Sequence, residues 1–411
     1  MKIIAVLIAL AAIGFLIFGM LPTGPRQERG SVDVVTVLEK SKSEEKDTRL
    51  SAILAVHDEP TLLENEELLS FILSRLNFND ETERGAAELV VQDNSETMVV
   101  KVKPFIESLE YQKYVRGAAA IRIIGPPSSI YVDVVGKRLR DSMNNANPAN
   151  KNQEFNIRLS SLWALEAMGN AALPYLDDVI KVIQSKFEPG PEFNLRVAAL
   201  RVLGSIGADA KSTLPMLAEF YDKGDPNLSE SSQFLLTIGL IGPGEGLNVI
   251  ELLISSLDLN THRERISALE ALGRLGPSAI GAKDKITELM NDPNKGVNPH
   301  AAVAYHLVTK EVAEPLKILE KSLGNPSLEH DAIELTGRLG PLAAPLVPIL
   351  KRKLDSEEAI TREYAVVALK KIGIGSRDAL SKLEKIAASD SDFLVREHAR
   401  AAIAAIKINA K

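Results

Sequence analysis

The 411-residue chain contains no cysteine. This absence excludes disulfide bonds, cysteine-ligated metals, thiol nucleophiles and a lipid-modified N-terminal cysteine, and it is compatible with reducing and oxidising compartments alike. Aromatic residues make up only 5% of the chain, and aliphatic residues supply most of its apolar content. Such a composition is typical of thin helices that stack closely, so it favours an all-α fold.

The chain also has no excess of basic residues. The formal net charge is -7 and the sequence pI is near 5.6, and no long run of Lys or Arg interrupts the acidic background. Proteins that bind nucleic acid through its phosphates carry a concentrated basic surface. We therefore expect no nucleic-acid partner.

Motifs that carry catalysis are absent as well. The glycine-rich segment 242–246, GPGEG, lacks the Lys-Ser/Thr that completes a phosphate loop and lies where a helix is predicted to end. No nucleophile elbow is present. We expect no catalytic, cofactor-binding or metal-binding residues and no small-molecule substrate.

One long apolar run, residues 3–21, stands near the start of the chain. As a helix it would measure about 28 Å at about 1.5 Å per residue, close to a hydrocarbon core of about 30 Å. A cleaved signal peptide is the alternative, although its core is usually only about 7 to 15 residues long. The run favours a single-pass membrane anchor in a bacterial protein, with the remainder extracytoplasmic; secretion after signal cleavage is the alternative.

The composition then changes twice. Residues 22–46 are rich in Pro, Gly, Ser and charge, which predicts a polar linker. Within it, residues 31–38, SVDVVTVL, fit either a short strand or the start of a helix. Residues 47–411 carry a repeat, degenerate over 47–110 and clearer over 111–411.

The repeat is seen best in residues 265–277, RISALEALGRLGP. Counted from Arg265 as position zero, its apolar residues form one helical stripe, Gly276 ends the helix and Pro277 prevents its continuation. Further copies begin at Arg158, Arg196 and Arg362, each with a glycine eleven residues later. Weaker copies begin at Tyr114, Ser231, Val297, Glu329 and Arg396, so that the intervals run from 32 to 44 residues.

A second amphipathic helix follows each copy, and turns rich in Asp, Asn and Pro connect the pairs. The second helices are expected at 214–220, 247–257, 315–323, 346–354 and 379–387. Helix pairs at intervals of about 33 residues are typical of α-solenoids. The predicted fold is therefore an all-α solenoid of stacked antiparallel helix pairs, preceded by one transmembrane helix.

The order of a DP-type turn, Arg-x-x-Ala-x-x-Ala-Leu-x-x-Leu-Gly and a second helix resembles HEAT repeats, of the short kind found in phycobilin lyases and many bacterial scaffolds. The resemblance covers roughly residues 47–411. It implies an array that holds a partner on its surface, since most such arrays bind proteins and a minority carry enzymatic sites. It also implies that the position-zero arginines tie each unit to an adjacent turn.

HEAT-repeat hydroxylases resembling deoxyhypusine hydroxylase bind two irons through repeated His-Glu pairs. Here the order is reversed, as Glu329-His330 and Glu397-His398. His300 and His306 are also spaced so that they do not share a helical face. The histidines are therefore interpreted as surface residues, and no metal is expected.

Two features suggest a binding surface. Offset 9 of successive first helices reads Arg274, His306, Arg338 and Lys371, which stacking would align along one groove. The alternative is local ion pairing, because Glu270 precedes Arg274 and Glu334 precedes Arg338 by four residues. This sequence pattern favours local pairing over a ligand groove.

The second feature is the only tryptophan, Trp163, at offset 5 beside an Asn-rich insertion, residues 141–155. Long insertions in compact arrays are often functional or disordered. Trp163 is either an exposed anchor for a partner or is covered by the insertion through Phe155.

The sequence thus predicts a membrane-tethered, non-catalytic scaffold that binds another protein, with Trp163, Arg274, His306, Arg338 and Lys371 as candidate contacts. One alternative is a lyase or chaperone that acts on a protein-bound cofactor. Another is a structural spacer without a saturable partner.

Overall fold

A computed structural model describes residues 33–77, 79–144, 151–185, 193–222, 228–259, 261–291 and 297–408. These residues contain 23 α-helices, several 3-10 segments and no strand. In chain order, α1 to α23 are Val34–Ser41, Lys46–Asp58, Glu66–Arg75, Glu81–Asp93, Ser95–Lys101, Lys103–Ile106, Tyr111–Ile124, Val132–Asn144, Lys151–Met168, Leu176–Gln184, Phe193–Ile206, Leu214–Asp222, Leu228–Ile241, Val249–Ser256, His262–Leu275, Lys283–Met290, Asn298–Thr309, Ala313–Leu323, Glu329–Arg338, Val347–Lys353, Ala359–Ile372, Leu380–Ser389 and Phe393–Ile408.

The helices form two rows. Eleven of them pack successively against one another and are called the first row: α2, α4, α7, α9, α11, α13, α15, α17, α19, α21 and α23. From α8 onward, the helices between them form a second row that packs against the first. The all-α array of stacked helix pairs predicted by the sequence is therefore confirmed for the described residues.

The repeat that begins at Arg265 folds as α15. Leu269 and Leu272 are fully buried, whereas Leu275 at the end of the stripe is only half-buried. Gly276 follows with φ 61°, a left-handed conformation that glycine adopts without steric penalty. Pro277 then begins the connection to the second helix as a 3-10 turn, Gly276–Ala282. Apart from Leu275, the apolar and turn residues thus have the roles that their spacing predicts.

Neighbouring first-row helices approach closely where a small residue occupies offset 8. A Cβ placed on Gly239 of α13 would lie only 2.4 Å from the Cβ of Ala271 on α15. Gly337 of α19 lies against Ala368 of α21 in the same way, with 3.0 Å between the added Cβ and the Ala368 Cα. Glycine is therefore required at these positions by helix–helix packing.

Position-zero arginines connect units, as the resemblance implies. Arg362 donates from Nε and Nη2 to the two carboxylate oxygens of Asp390, over 2.8 and 2.7 Å, and from Nη1 to the carbonyl oxygen of Ser356 over 2.9 Å. Both side chains are largely buried, with 11% and 6% exposed. The Arg362 guanidinium helps hold the pKa of Asp390 below its usual value, although burial acts most strongly and in the opposite direction. The ion pair joins α21 to the turn before α23.

The segment 31–38, left open between strand and helix, contributes to a helix. Asp33 accepts hydrogen bonds from the backbone N–H groups of Val35 and Thr36, each over 3.2 Å, and caps α1. Val37 is buried against the array. This helix lies within the range 22–46, for which the sequence predicts a polar linker.

The expected membrane-anchored location is corrected. Within the part of the chain that the structure describes, no helix has the length and apolar character needed to cross a bilayer. A single-pass anchor is therefore unsupported and is not considered further. The run 3–21, on which that expectation was based, lies outside the described residues.

The close approach at Gly239 gives a first prediction. Gly239→Ala places a methyl group against Ala271, and overpacking of this kind costs about 1 to 3 kcal/mol, more than the roughly 1 kcal/mol gained in helix propensity. Urea unfolding followed by circular dichroism measures the difference. Gly281→Ala is the control, since nothing lies within 4 Å of its added Cβ. Equal midpoints for the two variants would contradict the packing argument.

The buried arginine gives a second prediction. Arg362→Ala leaves Asp390 buried without its counter-charge, which is expected to lower the free energy of unfolding by about 3 to 5 kcal/mol. Lys317→Ala is the control, because Lys317 pairs with Glu314 at an exposed site, where such pairs contribute about 0 to 1 kcal/mol. Thermal denaturation of the two variants tests this order.

Candidate functional site

Three of the predicted basic residues meet in one depression. Arg274 of α15, Arg338 of α19 and Lys371 of α21 line a surface cavity of about 770 Å³ that extends across four first-row helices. Its other lining residues are Glu270, Gly273, Leu275, Gly276, Pro277, Leu307, Lys310 and Glu334. Stacking of the repeats brings these side chains together because they recur at the same helical offset. We call this cavity the basic depression.

The fourth predicted residue, His306, does not line it. Its Nδ1 lies 3.1 Å from the carbonyl oxygen of Glu311, so the imidazole is engaged at the end of α17. Lys310 takes its place in the lining, although the sequence pattern did not select it. Lys310 directly follows α17 and adopts the left-handed conformation with φ 67°, as Gly276 does after α15, and it is the only described non-glycine residue to do so. It lies thirteen residues after Val297, whereas the repeat glycines lie eleven after position zero, so the repeat pattern did not single it out.

The predicted local ion pairs are wrong for Arg338. Its Nη1 lies 2.9 Å from Oε1 of Glu270, two first-row helices away, rather than near Glu334 on its own helix. Side chains diverge on a convex surface, and helix axes two steps apart are separated by about 16 to 20 Å. A direct contact over that distance requires the first-row face to be concave here.

The Glu270–Arg338 pair passes over α17, where His300 also approaches. His300 Nδ1 lies 3.9 Å from Glu270 Oε1. Burial lowers the pKa of His300, and Glu270 opposes this only in part, so the imidazole is neutral near pH 7. Arg338 is therefore the cation that forms an ion pair with the Glu270 carboxylate.

The remaining cations of the basic depression are unpaired. Among the described residues, Arg274, Lys310 and Lys371 form no ion pair, and all three side chains are exposed. Four cations and the two carboxylates of Glu270 and Glu334 line the depression, so its local charge is positive on a chain with an acidic total. Such a concave positive surface attracts anionic groups.

An apolar strip adjoins the basic depression. A smaller cavity of about 260 Å³ shares Glu334 and Lys371 with it and is otherwise lined by Ile360, Glu363, Tyr364, Val367 and Ala368. The Tyr364 ring stacks on His330 at 5.4 Å between centroids, which fixes its orientation. A rigid aromatic ring beside exposed cations is typical of the residues that dominate protein–protein interfaces.

Trp163 lies away from this site, on α9. It is half-buried against the core, and the guanidinium carbon of Arg122 lies 5.7 Å from the centre of its ring. Arg122 covers one face of the ring, and the two sequence interpretations of Trp163, an exposed anchor or a residue covered by the insertion, stay predictions. Part of the insertion, 145–150, lies outside the described residues.

The described residues contain no group of three or more His, Asp or Glu side chains placed to share one ion. Histidines instead pair singly with carboxylates, such as His398 with Glu363 at 3.2 Å.

Comparison with known proteins gives one family match. A model described as HEAT repeats matches residues 312–404, which include Arg338 and Lys371. No curated protein matches the chain.

Solved structures match the chain at low similarity. An engineered protein is 16% identical with a TM-score of 0.39, covering 92% of this chain and 99% of its own. The karyopherin Kap121p, bound to the extreme C-terminus of the phosphatase Cdc14p, is 16% identical with a TM-score of 0.37, covering 91% of this chain and 45% of its own. A structure from work on cadherin and beta-catenin is 13% identical with a TM-score of 0.35, covering 95% of both chains. The chain thus spans less than half of the karyopherin.

Lys310 gives a third prediction. Lys310→Gly is expected to raise the free energy of unfolding by about 0.5 to 1 kcal/mol, because relief of a left-handed residue, about 1 to 2 kcal/mol, exceeds the added entropy of glycine in the unfolded chain, about 0.4 to 1 kcal/mol. Gly340→Ala, at φ 58°, is the reciprocal control and should lower it. Denaturant midpoints measure both, and a loss of stability in Lys310→Gly would contradict the strain argument.

Proposed function

We propose that this protein is a non-catalytic scaffold that binds an acidic segment of another protein in the basic depression. The observation that carries the proposal is a set of three exposed cations, Arg274, Lys310 and Lys371, which have no ion-pair partner among the described residues and lie on a concave face beside the apolar strip. The cations steer and orient an anionic partner, and the apolar strip supplies the area that excludes water.

A protein partner fits this surface better than a small molecule or a nucleic acid. The depression is open and extends over four helices, whereas small-molecule sites bury most of their ligand in a closed pocket. A nucleic acid requires many phosphate contacts, and the chain as a whole is acidic. The match to HEAT repeats supports the proposal, since such arrays present extended surfaces made by many units. The similarity to short repeats of phycobilin lyases concerns the repeat and does not extend to this site.

Trp163 is proposed as a second contact point on the same row of helices. Its offset, 5, is that of Glu270 and Glu334, which line the basic depression. The Arg122 guanidinium and the indole form a cation–aromatic pair whose outer surface remains half exposed. A partner long enough to follow the row would reach it.

The fourth prediction tests the basic depression with a fluorescein-labelled decaglutamate peptide and fluorescence anisotropy on the full chain. The wild type is expected to bind the peptide more weakly as salt rises, because exposed charges are screened. The double variant Arg274→Glu/Lys371→Glu should lose at least tenfold in affinity, since each reversal replaces attraction by repulsion. Trp163 emission verifies that the variant remains folded.

The matched control is Lys321→Glu/Lys385→Glu, which makes the same change in net charge on exposed second-row positions. It should retain the wild-type affinity to within twofold. Equal loss in both double variants would mean that only the overall charge matters, and the basic depression would no longer be supported as the site.

A further inference from the structure

The two ends of the array contact each other. The Phe393 ring of α23 meets the His57 ring of α2 edge to face, with 6.2 Å between centroids. Leu394 packs against α4 so closely that a Cβ added to Gly85 would lie 3.1 Å from its Cδ1. The first and last first-row helices are therefore neighbours, and the described array closes on itself. We call this contact the end junction.

The buried core of the described residues consists of two clusters. One cluster runs from Val37 to Val308 and the other from Val303 to Ile406. They meet at the α17–α18 unit, whose two helices contact both clusters, and again at the end junction, where Phe393 packs against the first cluster while Val395 belongs to the second. The array is thus two arcs with two joints.

The two joints differ in strength. Helix α17 is buried on both sides, and the Glu270–Arg338 ion pair spans it. At the end junction His57, Gly85, Phe393 and Leu394 are all only partly buried. Because stabilisation by apolar contact scales with the area removed from water, the end junction is the joint that opens first.

Charged side chains lie around the end junction, next to its apolar contact. The His57 Nε2 lies 3.1 Å from Asp93 and its Nδ1 lies 3.8 Å from Asp58, both on the N-terminal side. The hydrogen bond to Asp93 raises the pKa of His57, and Glu397 on α23 adds to this across the junction. Of these carboxylates, only Glu397 attracts His57 across the junction.

Closure encloses the face that carries the basic depression. The Glu270–Arg338 contact requires that face to be concave, so it points to the inside of the closed array. Eleven first-row helices at about 9 Å spacing give a ring of about 30 Å between axes, which leaves an opening of about 20 Å once helix thickness is subtracted. One helix or extended chain fits this opening, whereas a folded domain of about 100 residues, with a radius of gyration of about 13 Å, does not.

We propose that the end junction is a gate: it separates to admit an acidic segment that lies between two folded domains, and it closes again around that segment. The inference rests on the proposed binding of an acidic segment in the basic depression. A segment with a free end can thread the opening, but one that is flanked by domains has to enter from the side. The gate therefore determines which architecture of partner the array accepts.

The fifth prediction uses the absence of native cysteine. Gly85→Cys/Leu394→Cys introduces the only two thiols, and Cγ of Leu394 lies 3.9 Å from a Cβ at position 85, near enough for a disulfide after a small adjustment. Two probes are compared by anisotropy: the free decaglutamate peptide, and the same peptide fused between two fluorescent-protein domains. Oxidised and reduced forms of the one variant provide the matched pair.

Oxidation is expected to leave binding of the free peptide unchanged and to slow association of the two-domain probe at least tenfold, with recovery on reduction. If the two-domain probe associates equally fast in both forms, or if no disulfide forms, the gate is refuted. If the free peptide does not bind at all, the proposed site fails instead, so the two failures are distinguishable.

A second variant separates the end junction by placing a larger side chain in it. Gly85→Gln forces a longer side chain against Leu394 and favours the helix that contains it, so the ends separate while α4 remains folded. The two-domain probe should then associate at least fivefold faster, and Gly281→Gln, in open space, should match the wild type. An unchanged rate in Gly85→Gln would count against the gate.

Discussion

Close approach of neighbouring first-row helices is the constraint on which the rest of this structure depends. Gly239 and Gly337 allow the backbones to approach until alanine is the largest residue that fits opposite. Helices held this closely, and with this curvature, let side chains two units apart meet, as Glu270 and Arg338 do. At offset 8 of α15, a Cβ added to Gly273 would lie 3.0 Å from Cδ1 of Leu307 on α17, so a larger residue there would push α15 away from α17 and disturb that contact.

The net charge of the candidate site depends on which cation pairs with each of its carboxylates. Glu270 pairs with Arg338 across α17, and its helical neighbour Arg274 therefore remains exposed and unpaired in the described structure. Had the pairs formed locally, Arg274 and Arg338 would each have been neutralised on its own helix. The long-range pair thus leaves a positive surface on an acidic protein.

Sequence periodicity predicted the array because each helix needs only its own apolar stripe and the glycine turn that follows, as in α15 and Gly276. It also placed Arg274, Arg338 and Lys371 along one groove, because the three residues share one helical offset. It missed Lys310, whose side chain enters the depression from a turn rather than from the helical offset. It also missed the Glu270–Arg338 pair and the end junction, since curvature accumulates over many units and no single repeat encodes it. Segment boundaries and the partner contacts themselves stay predictions.

The contact between Phe393 and His57 joins positions separated by 336 residues of sequence, in a fold whose other contacts are mostly between adjacent units. Linear arrays fold by propagation, because each unit is stabilised by its neighbours. The closing contact requires every intermediate unit to be in place, because only their accumulated curvature brings the two ends together. Melting of any one repeat therefore releases the ends, so the end junction reports on the integrity of the whole array.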